Sequence, residues 1–159
     1  DMQKDAIISD CGKYRYLLQR SWDVTKRAVC FVMLNPSKAD AAQDDPTIRR
    51  CLGFAKAFGF GQLEVVNLFG WRSTDPRFLI HQDDPVGPEN DEILAESVHI
   101  CDMVICAWGA RGGTLQRDEA VKKIIRAEGK IPLALRISKT GQPMHPLYLP
   151  KVCNLVGLR

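Results

Sequence analysis

The sequence predicts one α/β domain, a three-layer fold in which a mostly parallel sheet is covered by helices on both faces. Three observations predict it. Short runs rich in branched apolar residues alternate with longer runs that are apolar at helical spacing, in a β-α-β-α-β-α rhythm. No repeat, low-complexity tract or charge block divides the chain, and its Pro/Gly-rich stretches are only loop-sized. A chain of 159 residues, 45% hydrophobic and 26% charged, suits a single core.

Tyr14 to Arg20 and Arg27 to Leu34 flank the turn-prone Ser21-Trp22-Asp23 and predict two adjoining strands, a hairpin at the sheet edge. The second run is apolar on both faces, as a strand buried between two layers must be. Asp44-Asp45-Pro46 supplies a capping carboxylate and a first-turn proline, and Ile48, Cys51, Leu52, Ala55 and Phe58 recur at helical spacing, so a helix is expected from about 46 to 58. Gln62 to Asn67 reads as a strand. The segment from Leu68 to Pro88 is long for a connection in a compact domain and is a candidate functional loop. Ile93, Leu94, Val98 and Cys101 set a helix near 90 to 101, Met103 to Trp108 a buried strand, and Leu115, Val121, Ile124 and Ile125 a third helix. Pro132 to Ile137 supplies a last strand, and right-handed crossovers follow for the parallel connections.

Several function classes are disfavoured at once. The longest apolar run, Ala28 to Leu34, has seven residues, against about 18 or more for a membrane helix, so no membrane partner is expected. No secretory leader pattern opens the chain, and the expected location is cytoplasmic. The six cysteines form no CxxC pair, and four lie in apolar periodic segments, which favours reduced core thiols over disulfides or metal. His99 and Cys101, two apart on a predicted helix, point away from each other, and no metal is assigned. No GxxxxGK[ST] occurs, which excludes a P-loop, and no cofactor is expected. With 22 basic and 19 acidic residues, the net charge of +3 permits a polyanion partner without requiring one.

Open parallel sheets bind ligands beyond the carboxyl ends of their strands. That rule selects Asn35-Pro36-Ser37, Asn67, Trp108-Gly109 and His145-Pro146. Each can be read alone as turn chemistry. Together they converge on one crevice, so position rather than residue type makes them candidates.

At these residues the sequence resembles the uracil-DNA glycosylase superfamily. Leu34 to Ser37 (LNPS) looks like its first motif in the Asn-Pro form of the mismatch-directed members, and His145 to Tyr148 (HPLY) is similar to its second. Between them VVN ends at Asn67, where many members place a base-reading asparagine, and VICAWG falls on the strand before a loop near the site. MLNPSKAD, DDPTIRRC, VVNLFGWR, AWG and GQPMHPLYLP together look still more like an uncharacterised domain family of bacteria and their phages, over most of the chain. The glycosylase resemblance implies a fold of that type. It also implies hydrolysis of an N-glycosidic bond of a damaged or modified base, with a nucleic acid or nucleotide as partner. Asn35 would orient water, Asn67 would read the base edge, and His145 would donate to a base carbonyl as the leaving group becomes anionic. The chain departs from the motifs at Met33 and Ser37, where mismatch-directed members often carry glycine, and at Leu147, where many members carry serine.

Asp45 and its neighbour Asp44 admit two roles, capping the helix or facing the crevice as a carboxylate that activates water. Backbone N–H groups at that helix start, with Thr47, Arg49 and Arg50, could meet a phosphate, or the arginines could form a solvated face. Ser37, Phe69, Arg72 and Lys139 complete the substrate-binding candidates. Phe69 or Trp71 could stack on a base while Arg72 meets a phosphate, although Phe69 could equally be core, and Lys139 opens a small polar loop before His145. Leu147 reads as packing or as a wedge for a flipped nucleotide. A second reading is a non-catalytic nucleic-acid or nucleotide-binding module, and a third is a plain α/β domain whose strand-end residues form turns.

Overall fold

The structure, a computed structural model, describes residues 1–159. Seven strands form one sheet: β1 (Gln3–Ile8), β2 (Arg15–Ser21), β3 (Ala28–Met33), β4 (Gln62–Asn67), β5 (Met103–Cys106), β6 (Pro132–Ala134) and β7 (Val156–Gly157). Their order is β1-β2-β4-β3-β5-β6-β7. Three helices, α1 (Pro46–Ala57), α2 (Asn90–Ile100) and α3 (Arg117–Ala127), cover it. The sheet is mixed rather than mostly parallel: β4, β3, β5 and β6 run parallel, while β1, β2 and β7 pair antiparallel at its two edges.

Strand β3 takes the centre because both of its faces are apolar. Val29, Phe31 and Met33 join α1 residues Ile48, Cys51, Phe54 and Ala55 in one core, while Cys30 and Val32 join Leu94 and Val98 of α2 and Val121 and Ile125 of α3 in the other. The helices therefore lie on both faces, as the sequence predicts. The expected hairpin of β2 and β3 does not form. Strand β4 lies between them, because β3 needs an ordered neighbour on each side and β4 matches its apolar length in parallel register from Ala28↔Gln62 to Met33↔Asn67. The partner of β2 on its outer side is β1, a largely exposed strand whose charged sequence hides it from a hydrophobicity reading.

Other boundaries shift for local reasons. Asp45 caps α1 by accepting from the Ile48 N–H, Pro46 starts it, and Gly59 at φ +84° follows its end. Leu115, placed on the third helix by periodicity, lies in a 3-10 segment from Ala110 to Gln116 with a positive φ of 52°, and α3 starts only at Arg117. The last two parallel strands end early, at Cys106 and Ala134. A 3-10 segment, Pro76–His81, is the one helical stretch in the long connection after β4. All six cysteines are free thiols and four are buried, and no helix is long and apolar enough to cross a membrane.

The irregular segment from Leu34 to Asp45 is held to the sheet by two buried arginines of β2, Arg15 through the Ala39 carbonyl and Arg20 through several bonds. Arg20, 1% exposed, reaches from β2 and donates from Nε to Asp44 Oδ1 at 2.9 Å and from Nη2 to the Asp40 carbonyl at 2.6 Å. Its Nη1 donates to the Gln19 carbonyl at 2.8 Å, and Asp40 in turn accepts from the Ala42 and Gln43 N–H groups. Arg20→Met leaves Asp44 and the loop carbonyls without their partner, and an expected loss of about 3–5 kcal/mol should appear as a lower urea midpoint at unchanged m. An unchanged midpoint would show that the loop holds itself.

Candidate functional site

From β3 the chain passes through α1 to β4 on one side, and the next parallel strand, β5, lies on the other side of β3. The carboxyl end of β3 is thus the point where the direction of winding reverses, the place at which open α/β sheets form ligand crevices. A pocket of about 320 Å³ opens there, on the α1 face. That volume is near the lower end of the usual small-molecule range, about 300–1,000 Å³. Its floor is made by the buried Arg15, Met33, Ile48, Val65, Asn67 and Trp108, and Thr74, Leu147 and Tyr148 are exposed at its rim. A larger depression of about 580 Å³ on the β1–β2 side is polar, but its Gln19, Arg20 and Glu64 are bonded to protein groups.

Five of the eight residues selected from sequence line this one pocket: Asn35, Ser37, Asp45, Asn67 and His145. Asn35 is immobilised, because its Nδ2 group donates to the Ser73 carbonyl at 2.9 Å and the Pro36 carbonyl at 3.1 Å, with Trp71 O at 3.4 Å. The Oδ1 atom has no protein partner and is left as an acceptor. Asp45 combines both of its expected roles: Oδ1 caps α1 while the residue borders the pocket, and Oδ2 carries no protein hydrogen bond. Asp44 is instead occupied by Arg20.

His145 begins a 3-10 turn, Pro146–Tyr148, and its Nδ1 accepts the Leu147 N–H at 3.2 Å. In the neutral ring that bond puts the proton on Nε2, which becomes the donor. Burial pushes the imidazole below its usual value, opposed by the Asp45 carboxylate. The loop that carries it is tied to β5 through Gly109, whose N–H donates to the Pro143 carbonyl at 2.8 Å. Trp108 on the floor is fixed by a 2.7 Å bond from Nε1 to Gln142 Oε1, and Gly112 lies against its ring where a Cβ would collide.

Asn67 differs from all of these. It is 1% exposed, and neither Oδ1 nor Nδ2 has a hydrogen-bond partner. A buried primary amide with nothing to bond costs stability, so a side chain kept in that state on a pocket floor is arranged for something that enters.

Three selected residues stay outside. Phe69 is 0% exposed within the core on the α2 face and cannot stack on a ligand. Arg72 is half-buried behind the pocket wall, with its Nε 3.5 Å from the Ser37 carbonyl. Lys139 is exposed in the Ser138–Gly141 turn, away from the pocket lining. Leu147 stands at the rim, the exposed Arg49 donates from Nη1 to the Asp44 carbonyl at 3.4 Å, and Arg50 donates to the Leu149 carbonyl.

The sequence reading missed Arg15. On the β2–β1 pair Leu17 faces Ile7 but Arg15 faces Ile8, so Tyr16 is an extra residue, a β-bulge. Strict alternation from Leu18, which packs on the α1 face, would send Arg15 to the other side. The bulge returns it to the α1 face, where its Nη1 donates to the Ala39 carbonyl at 2.9 Å. One signal was available: an arginine set among Tyr14, Tyr16, Leu17 and Leu18 has no obvious place in a buried strand.

Two outcomes test this description. Asn67→Leu removes the unpaired amide while keeping its bulk, so chemical denaturation should show stability unchanged or raised by about 1 kcal/mol; a marked loss would mean that the amide is bonded after all. Because the folded state disfavours protonated His145, stability should be full above the unfolded-state value of 6.5 and should decline as pH falls below it. In His145→Gln that decline should be shallower between pH 7.5 and 5.5, and identical profiles would place the ring in free solvent.

No curated protein and no solved structure matches the chain. The model of one family does match, from residue 15 to residue 147, a span that holds every pocket residue described above except Tyr148 at the rim. The chain belongs to the DUF1643 family of proteins of unknown function.

Proposed function

We propose that the pocket receives a nucleobase and that the protein hydrolyses its N-glycosidic bond, within a glycosylase-like arrangement of layers. The observation that carries the reading is the buried, unpartnered amide of Asn67. A primary amide offers one donor and one acceptor side by side, which is the complement of the adjacent carbonyl and N–H of a base edge. Asn35 and His145 border the same space from two other segments.

The chemistry such residues can perform is specific. Cleaving the bond leaves an oxocarbenium-like sugar and an anionic base, so charge develops at both ends of the broken bond. The Nε2 proton of His145, aimed at a base oxygen, would stabilise the leaving group. Asn35 Oδ1, on an amide that cannot swing because its Nδ2 is held by backbone carbonyls, would orient the attacking water. An amide is a weak base, and the unengaged Oδ2 of Asp45 is the carboxylate in the pocket that could take the proton. A nucleic acid is the favoured carrier of the base. Beside the pocket, and sharing Leu147 with it, runs a groove bordered by Arg49, Arg50 and Lys151 along Phe54 and Val152, which offers cations to phosphates next to apolar surface.

A non-catalytic base-binding module is the second reading. It is favoured by the same backbone bonds of Asn35, which suit a structural asparagine equally well, and by Leu147 at the position after His145-Pro146.

Oligonucleotides carrying normal, deaminated and hypermodified bases, treated with alkali to cut any abasic site, separate the two. The wild type should release at least one base. Asn35→Ala should abolish release with a much smaller loss of binding, since Oδ1 acts in the transition state whereas the Nδ2 bonds only brace the pocket wall. Asn67→Ala should weaken binding by about 1–3 kcal/mol and relax base choice. Binding with no cleavage of any oligonucleotide would establish the module instead, and cleavage indifferent to Asn35→Ala would move water activation to Asp45.

A further inference from the structure

Arg15 is 2% exposed on the floor of the pocket and forms no ion pair within 4.0 Å. The other two buried arginines are matched to carboxylates, Arg20 to Asp44 and Arg117 to Asp91. Of the three nitrogens of Arg15 only Nη1 has a partner, the Ala39 carbonyl, while Nε is fully buried and unbonded. Burial draws its pKa down to about 10, with the Asp45 carboxylate acting against the shift and the Arg72 and Arg20 charges adding to it, so the group stays protonated at neutral pH. A buried cation whose opposing carboxylate, Asp45, forms no ion pair with it is costly unless an anion is brought closer. The bulge that aims Arg15 here puts that cost beside the unpartnered amide of Asn67.

We propose that Arg15 is the receptor for an oxyanion of the ligand, and that the preferred base carries an acidic substituent, such as a carboxylate, rather than being plain uracil. This rests on reading the pocket as a base site. Arg15 and Asn67 are both buried on the pocket floor and Thr74 and Tyr148 are exposed at the rim, so a base seated on Asn67 would share the floor with Arg15 and carry its sugar and phosphate at the rim. A base-borne carboxylate therefore reaches the guanidinium without drawing the backbone into the pocket. An unsubstituted base offers Arg15 at most neutral carbonyl acceptors and leaves its charge uncompensated.

Calorimetric titration of the full chain with free uracil, 5-carboxyuracil, deoxyuridine and deoxyuridine 5′-monophosphate tests this without any bond being broken, so its outcome is separable from that of the cleavage assay. The carboxylated base should bind about tenfold to a hundredfold more tightly than uracil. Arg15→Met should remove that preference, bringing the two affinities to within about twofold of each other, and Arg15→Lys should retain part of it. A merely structural arginine would lower both affinities together. Should Arg15→Met fail to fold, the wild-type preference and the Arg15→Lys variant still decide. A gain for the nucleotide over the nucleoside that depends on Arg15, with none for the carboxylated base, would assign the oxyanion to phosphate and overturn the acidic base. Equal affinities throughout the wild-type series, or no binding by any of the four, would overturn the receptor itself, whether or not an oligonucleotide is cleaved.

Discussion

The double burial of β3 is the constraint from which the rest of the architecture follows. A strand apolar on both faces needs a hydrogen-bonded neighbour on each edge and a covering layer on each side, which here are parallel strands and helices. Satisfying it brings α1 to one face and α2 with α3 to the other, and the chain must then wind in opposite directions from β3. Reversal of winding separates the connections that leave the carboxyl ends of β3 and β5, so the crevice is a by-product of burying Val29 to Met33. Nothing about the pocket has to be encoded locally for it to exist. What is encoded locally is its lining.

That lining is organised by where polar bonds are completed and where they are not. Arg20, Asp40 and Asp44 close the segment after β3 with several bonds, and Asn35 spends its Nδ2 group on the carbonyls of both crossing loops. These completed bonds make the walls rigid, which is the condition for a site to be preorganised rather than assembled by the ligand. The unpaired groups concentrate on the floor of the same pocket, at both atoms of Asn67 and at Nε of Arg15. Elsewhere the chain leaves single atoms unpaired, as at Asn90, whose Nδ2 nevertheless donates to the Asn67 and Leu68 carbonyls. A buried amide with no bond at all is found at Asn67 alone.

Much of this was legible in the sequence because the signals were periodic or local. The cap and proline at Asp45-Pro46 predict the start of α1, and the helical spacing from Ile48 to Phe58 predicts which face is buried, since both depend on neighbours within one or two turns. The strand-end rule brought Asn35, Asn67 and His145 together for the same reason: it uses only the end of each strand and the parallel direction. Residues chosen by type instead lie outside the pocket. Phe69 and Lys139 look like base- and phosphate-binding residues, yet an aromatic ring two residues past a strand can turn into the core, and a lysine in a tight turn can face water.

The sequence by itself determined the class of the fold, the strand buried on both faces and the polar stops at the strand ends, because these follow from hydrophobic period and turn chemistry along the chain. Only the tertiary structure decided that β4 separates β2 from β3, that the edges run antiparallel, and that Arg15 enters the pocket. Strand order is set by which strands gain most from pairing, a comparison between segments distant in the sequence. The face taken by Arg15 is set by one extra residue against β1, which no alternation within β2 could register. Asn67 shows both sides of this division: its position at a strand end could be read from the chain, but the absence of any partner for its amide is a property of everything packed around it.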